Sequence, residues 1–160
     1  MISGTITISD FLEAQRLHRA TAVRWCYAIS GITALIGALA CFYFDQELGF
    51  VSSCAGIGGT LGEFIYSRTY IPWKVRRIYK QQKDFASLFT YTWNSEFIEA
   101  QGISGQSKRA WKNYAKFKEN ENIFLLYHAD NIFEMLPKSW FGSEDQLAEF
   151  RCFISRSNEA

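Results

Sequence analysis

Between Trp25 and Phe44 the chain runs for twenty residues without a charge, and no other feature restricts its fold as strongly. As an α-helix rising ~1.5 Å per residue, such a run can cross a hydrocarbon core of ~30 Å. After the acidic link Asp45-Gln46-Glu47 comes a second apolar run, Leu48 to Ser67, rich in glycine and interrupted by one charge, Glu63. Glycine is a poor helix former in water but is tolerated in lipid. The sequence therefore predicts a two-helix transmembrane hairpin over residues 25–67, with spans 25–44 and 48–67.

The flanks give an orientation, because Lys and Arg beside a span are retained on the cytoplasmic side. Arg16, Arg19 and Arg24 precede the first span; Arg68, Lys74, Arg76, Arg77, Lys80 and Lys83 follow the second; the link between them carries no base. The expectation is a multi-pass protein of the cytoplasmic (inner) membrane with both termini cytoplasmic. Trp25, Tyr27, Phe42, Tyr43, Phe44, Tyr66, Tyr70 and Trp73 stand where interfacial aromatic belts belong. A cleaved signal peptide is disfavoured because 24 residues precede the apolar run. Ala38-Leu39-Ala40-Cys41 lacks the large aliphatic residue of a lipoprotein cleavage box and falls at the far end of a full span.

A chain of 160 residues accommodates one ordinary domain, and a net charge of +1 exerts no global pull toward nucleic acid. Cys26, Cys41 and Cys54 lie in the apolar block, Cys152 lies far from them, and no C-x-x-C occurs, so neither a disulfide framework nor a zinc site is expected. No phosphate loop, dinucleotide fingerprint, nucleophile elbow or His-Glu-x-x-His is present. The reading is of a protein with no catalytic residues, no metal and no cofactor.

Outside the hairpin the patterns are short. Thr5 to Ile8 alternates like a strand, and Asp10 with Glu13 resembles a capping box opening a helix that runs into the first span. Residues 1–24 are expected to pack with the C-terminal domain. Past the second span, Pro72 suits a kink or a first helical turn. Residues 68–84 read as a basic interfacial helix, with Trp73, Val75, Ile78 and Tyr79 among the bases. Residues 85–160 read as a β-meander: strands over Leu88–Trp93, Glu96–Gln101, Trp111–Lys118, Ile123–Tyr127 and Ile132–Leu136, the last ended by Pro137. Ser143 and Gln146 open a final helix with Leu147, Phe150, Phe153 and Ile154 on one face.

Several of these features occur together in one family. Trp111 heads a charged alternating strand to Glu121, the apolar strand Ile123–Tyr127 follows, and a further strand ends in Leu136-Pro137-Lys138 before Trp140-Phe141 and the helix start Ser143-Glu144-Asp145. In this the chain resembles the YcxB-like family of bacterial membrane proteins, and its paired spans and N-terminal strand agree with that layout. The resemblance implies a membrane α+β fold: a transmembrane hairpin plus a small pleckstrin-homology-like antiparallel sheet closed by a C-terminal helix. It implies no activity and carries no functional residue across.

Candidate functional residues follow from physical cost. A carboxylate within a span is expensive; Glu63 either serves a proton, cation or partner helix, or reaches the interface and meets Arg24 or Arg68. Gly58 and Gly62 form G-x-x-x-G, which lets helix backbones approach closely, either against Ala34 and Ala38 or across a homo-oligomer seam. Trp73, Lys74, Arg76, Arg77, Lys80 and Lys83 form a candidate lipid-headgroup surface, each base adding about 1 kcal/mol near an anionic leaflet; ordinary topology determination accounts for the same run. Lys108, Arg109, Lys112, Lys116 and Lys118 interleave with Trp111, Tyr114 and Phe117, which suits strand faces with rings inward better than nucleic-acid binding. His18 and His128 show no motif partner. The function expected is that of a non-enzymatic, membrane-anchored interaction module binding lipid headgroups or an unknown protein partner. The alternatives are an immunity or inhibitor protein acting against a toxin, and a small oligomeric transporter or channel subunit using Glu63.

Overall fold

The computed structural model describes residues 1–103 and 105–157. It is an α+β protein with two compact units, one of residues 19–74 and one combining residues 1–18 with 75–160. The first unit is a helical hairpin. Helix α1 (Ile8–Tyr43) begins outside it and forms its first arm. Helix α2 (Gln46–Ile65) forms the second and passes through a π-helical turn, Tyr66–Tyr70, into α3 (Ile71–Gln81). Both 36-residue stretches, Ile8–Tyr43 and Gln46–Gln81, are long and apolar enough to cross a membrane, and only 6% and 11% of their most apolar windows are buried within the protein.

Local chemistry sets the breaks. Asp45 caps α2, its Oδ1 accepting from the amides of Glu47 (2.9 Å) and Leu48 (3.1 Å), so the expected three-residue link shrinks and Glu47 falls in the first turn, where a negative charge suits the helix dipole. The ring of Pro72 cannot follow a regular turn without meeting the carbonyl four residues back. The chain widens there into the π turn, and α3 grows from α2 without a break.

The arms meet along small residues. A Cβ built on Gly37 would fall on the Ser53 backbone, on Gly49 against Cys41, and on Gly56 against Ala34 and Ser30. Gly49, Ser53, Gly56, Thr60, Glu63 and Ser67 recur at three and four residues, the period of a helix seam. The Ser53 hydroxyl donates to the Gly49 carbonyl at 2.9 Å, within its own helix. Gly58 and Gly62 lie off this seam, with nothing near them. The expected packing of that pair on Ala34 and Ala38 is thus corrected: Gly56 meets Ala34, because the seam follows the 3.5-residue period and the G-x-x-x-G pair falls on the outer face.

In the second unit, β1 (Ile2–Gly4), β2 (Phe89–Trp93), β3 (Phe97–Gly102) and β4 (Gly105–Ala110) form an antiparallel sheet in that order. Strands β5 (Lys116–Glu119), β6 (Ile123–Ala129) and β7 (Ile132–Pro137) form a second. Helix α4 (Glu144–Ser157), capped by the Ser143 hydroxyl accepting from the Gln146 amide at 3.2 Å, contributes Leu147, Phe150 and Ile154 to a shared core with Ile2, Tyr91, Ile98, Trp111, Phe124, Leu126 and Leu136. Phe150 is fully buried, its ring 5.0–5.7 Å from those of Trp93, Phe141, Phe124 and Trp111.

Three expectations for this unit change. The N-terminal strand is Ile2–Gly4, because Thr7 and Asp10 form the capping box that starts α1: the Thr7 amide donates to Asp10 at 2.9 Å and the Asp10 amide to the Thr7 hydroxyl at 3.2 Å. Glu13, expected in that box, instead accepts from the side-chain amides of Asn120 (2.8 Å) and Asn122 (3.1 Å). Trp111 sits in a 3-10 turn between β4 and β5, its indole N–H donating to the Asn94 carbonyl at 2.8 Å, so the strand expected over Trp111–Lys118 covers only Lys116–Glu119. Strand β4 carries no apolar alternation, because it is a sheet edge with mostly exposed polar side chains.

Candidate functional sites

Glu63 is held within the hairpin. Its partner is Arg19, at 3.1 Å, and not Arg24 or Arg68; the Ser67 hydroxyl donates to the same carboxylate at 2.6 Å. The Arg19 guanidinium also lies over the Tyr66 ring, 4.8 Å from its centroid. Continuing the register in which Gly56 meets Ala34 and Gly59 meets Ser30 sets Glu63 against Cys26 and Tyr27, about two helical turns from Arg19, whose long side chain reaches back to it. Two fixed donors on one carboxylate make this arrangement a lock between the arms.

On the basic segment, Trp73, Lys74, Arg76, Arg77 and Lys80 are exposed along α3, while Val75 is buried. Arg68 stands in the π turn. Lys83 begins a 3-10 turn, and its side chain lies outside the described residues. Tyr79 faces inward, its hydroxyl donating to the Ile6 carbonyl at 2.9 Å.

The second basic cluster has its rings inward: Trp111 and Tyr114 are buried. Three of its bases are engaged, Lys108 with Glu99 (2.9 Å), Lys116 with Asp130 (2.9 Å) and Lys118 with the His18 carbonyl (3.0 Å). Both histidines acquire partners that the sequence did not disclose. His18 Nδ1 is 2.9 Å from the Tyr127 hydroxyl, and His128 Nε2 is 2.9 Å from Glu134.

Glu134, on β7, is the centre of a polar cluster that sequence reasoning missed. Its Oε1 faces His128 and its Oε2 accepts from the Tyr114 hydroxyl at 3.1 Å, while Arg109 stays at 3.8 Å. Burial, followed by the charge of Glu134, holds the Tyr114 and Tyr91 phenols well above their ordinary range, so both remain neutral and Tyr114 donates to the carboxylate. Next to this cluster is a cavity of about 440 Å³ lined by Phe85, Phe89, Tyr91, Ala100, Ser107 and Glu134, among others. The cross-strand row Tyr91, Ala100, Ser107 explains its existence: two of the three facing positions carry side chains too small to fill the space. The signal available in sequence was Glu134, a lone acid in an otherwise apolar strand.

A third cluster ties α4 to the second sheet. Glu119 accepts from Lys138 at 2.6 Å and from Arg151 at 2.8 Å. Burial raises its pKa, but the hydrogen bonds and charges of Arg151 and Lys138 outweigh that and leave it below the ordinary carboxylate value of 4.5. A depressed carboxylate contributes stability above its unfolded pKa and loses it as pH falls through the folded one. Glu119→Gln should therefore destabilise the protein by ~1–2 kcal/mol at neutral pH. Chemical denaturation at a series of pH values should show the difference from wild type closing as pH drops below 4.5.

Among the described residues no group of three or more His, Cys, Asp or Glu is placed to hold a metal ion. The fold and these clusters define a small α+β protein that joins a long apolar helical hairpin to a two-sheet domain closed by a helix. Residues 93–154, from the last residue of β2 into α4, match the family model described as YcxB-like protein, which bears out the resemblance over that stretch. No curated protein and no solved structure matches the chain.

Proposed function

We propose that the protein is a non-enzymatic interaction module anchored in the cytoplasmic membrane by its hairpin, with both termini and the two-sheet domain on the cytoplasmic side. The observation that carries this reading is the exposure of the two apolar helices: Ile29, Ile32, Leu35, Ile36, Phe50 and Leu61 are each more than half exposed, a surface that water does not tolerate and a bilayer would cover. Charge supports the orientation, since bases cluster beyond both open ends of the hairpin and the Asp45 turn has none. The seven strands among the described residues and the closing helix suit a pleckstrin-homology-like domain. The exposed bases of α3 then attract anionic headgroups. The Arg19 lock on Glu63 argues against a carboxylate free to carry ions.

Thiol labelling tests both parts. In a cysteine-free background, an impermeant reagent applied to intact cells should label a cysteine at Gln46 and leave cysteines at Thr5 and Asn120 unlabelled. In nanodiscs, a cysteine at Arg77 should react several-fold more slowly with anionic than with neutral lipid, and high salt should remove the difference. Labelling at Thr5 or Asn120 in intact cells would overturn the topology. Equal reactivity in the two lipids would remove lipid docking.

A further inference from the structure

The cavity beside Glu134 has the composition of a cation site. Three aromatic residues, Phe85, Phe89 and Tyr91, line it, and among the described residues its lining carries two carboxylates, Asp84 and Glu134, and no base. The aromatic wall is held in place from behind. Phe85 packs edge-on against Phe11 at 5.2 Å and near Tyr79 at 6.1 Å, and Tyr91 lies 6.2 Å from Trp140. Glu134 is oriented by His128 and Tyr114, one on each oxygen, and a carboxylate has about four lone-pair positions, so acceptor capacity remains beyond these two bonds. Among the described residues, Arg109 forms a long ion pair with Glu134 at 3.8 Å, beyond hydrogen-bond range, from a side chain that is 45% exposed and does not line the cavity.

From this geometry we infer that the cavity binds a small organic ammonium: a positively charged nitrogen against Glu134 and the aromatic faces, with an apolar body on the floor made by Ala100 and Ser107. An ammonium gains from ring quadrupoles and from the Glu134 carboxylate together, whereas an anion would meet that carboxylate as a like charge and a neutral body only the apolar wall. The inference concerns the two-sheet domain and does not depend on whether the hairpin lies in a membrane.

The test uses the full-length protein in a non-ionic detergent and three probes sharing one ring: 2-phenylethylammonium, neutral 2-phenylethanol and anionic phenylacetate. Calorimetric titration should show the cation binding about tenfold more tightly than the alcohol and the anion not binding. Glu134→Gln should reduce the cation to the affinity of the alcohol while leaving the alcohol unchanged, which also shows the variant to be folded. Should that variant fail to fold, Phe89→Leu, which keeps an apolar wall but removes a ring, should weaken the cation more than the alcohol. Ala100→Leu, which fills the floor, should abolish binding of both. Equal affinity for cation and alcohol, absence of cation binding at millimolar concentration, or indifference to Ala100→Leu would each overturn the proposal.

Discussion

Replacing Gly56 by isoleucine is expected to separate the arms of the hairpin. The new side chain would enter space occupied by the Ala34 backbone and the Ser30 carbonyl, and neither can move without displacing its helix. Overpacking costs ~1–3 kcal/mol where side chains can adjust, and a backbone obstacle places the cost at or above the top of that range. Thermal unfolding of the detergent-solubilised protein should show a clearly lowered midpoint. Gly58→Ile, on the outer face, should stay within ~0.5 kcal/mol of wild type, since its Cβ meets nothing. If Gly58→Ile instead dissociates an oligomer on size exclusion while the monomer keeps its midpoint, Gly58 and Gly62 mark a seam between copies, the second of the two roles open to them.

The other large effect is expected at Phe150. Its ring is fully buried among Trp93, Trp111, Phe124 and Phe141, and it draws residues from β2, β6 and the turns flanking the second sheet onto α4. Phe150→Ala removes the ring and leaves a cavity that four rigid aromatic neighbours cannot close, for a loss of ~3–5 kcal/mol. Chemical denaturation followed by tryptophan fluorescence reads this directly, because Trp93 and Trp111 border the site. Phe150→Leu, which keeps most of the volume, should recover more than half of the loss. A substitution at exposed Phe42 removes a similar ring and should leave the tryptophan transition where it is.

Much of this fold is legible in the residues because it follows from short-range patterns. The charge-free run from Trp25 marks a helix, Ser143 with Gln146 marks the start of α4, and Ile123–Tyr127 can only be a buried strand. Resemblance carries further, linking the C-terminal strands and helix to one family. Where the reading went astray, a local pattern had two uses. Thr5–Ile8 alternates, yet Thr7 is the better cap and the helix takes its place. Trp111 heads an alternating stretch, yet its indole is needed at Asn94 and the chain turns there.

The candidate sites divide along the same line. Glu63 was conspicuous because a charge in an apolar run is costly wherever the chain goes, but its partner was set by which residues share the seam. Arg24 and Arg68 are nearer the expected span ends; Arg19 faces the carboxylate. The Gly49, Ser53, Gly56 period was present in the sequence, and choosing it over Gly58 and Gly62 required the facing helix. Glu134, His128, Tyr114 and Tyr91 come from separate strands and a turn, spaced from six to over forty residues apart, and no local pattern links them. Helix length and apolar runs are properties of adjacent residues, so the sequence by itself determined the two long helices, the strands β6 and β7 and the closing helix. Partnership between distant polar groups depends on the register of whole strands and helices, so only the tertiary structure decided the seam, the lock and the cavity.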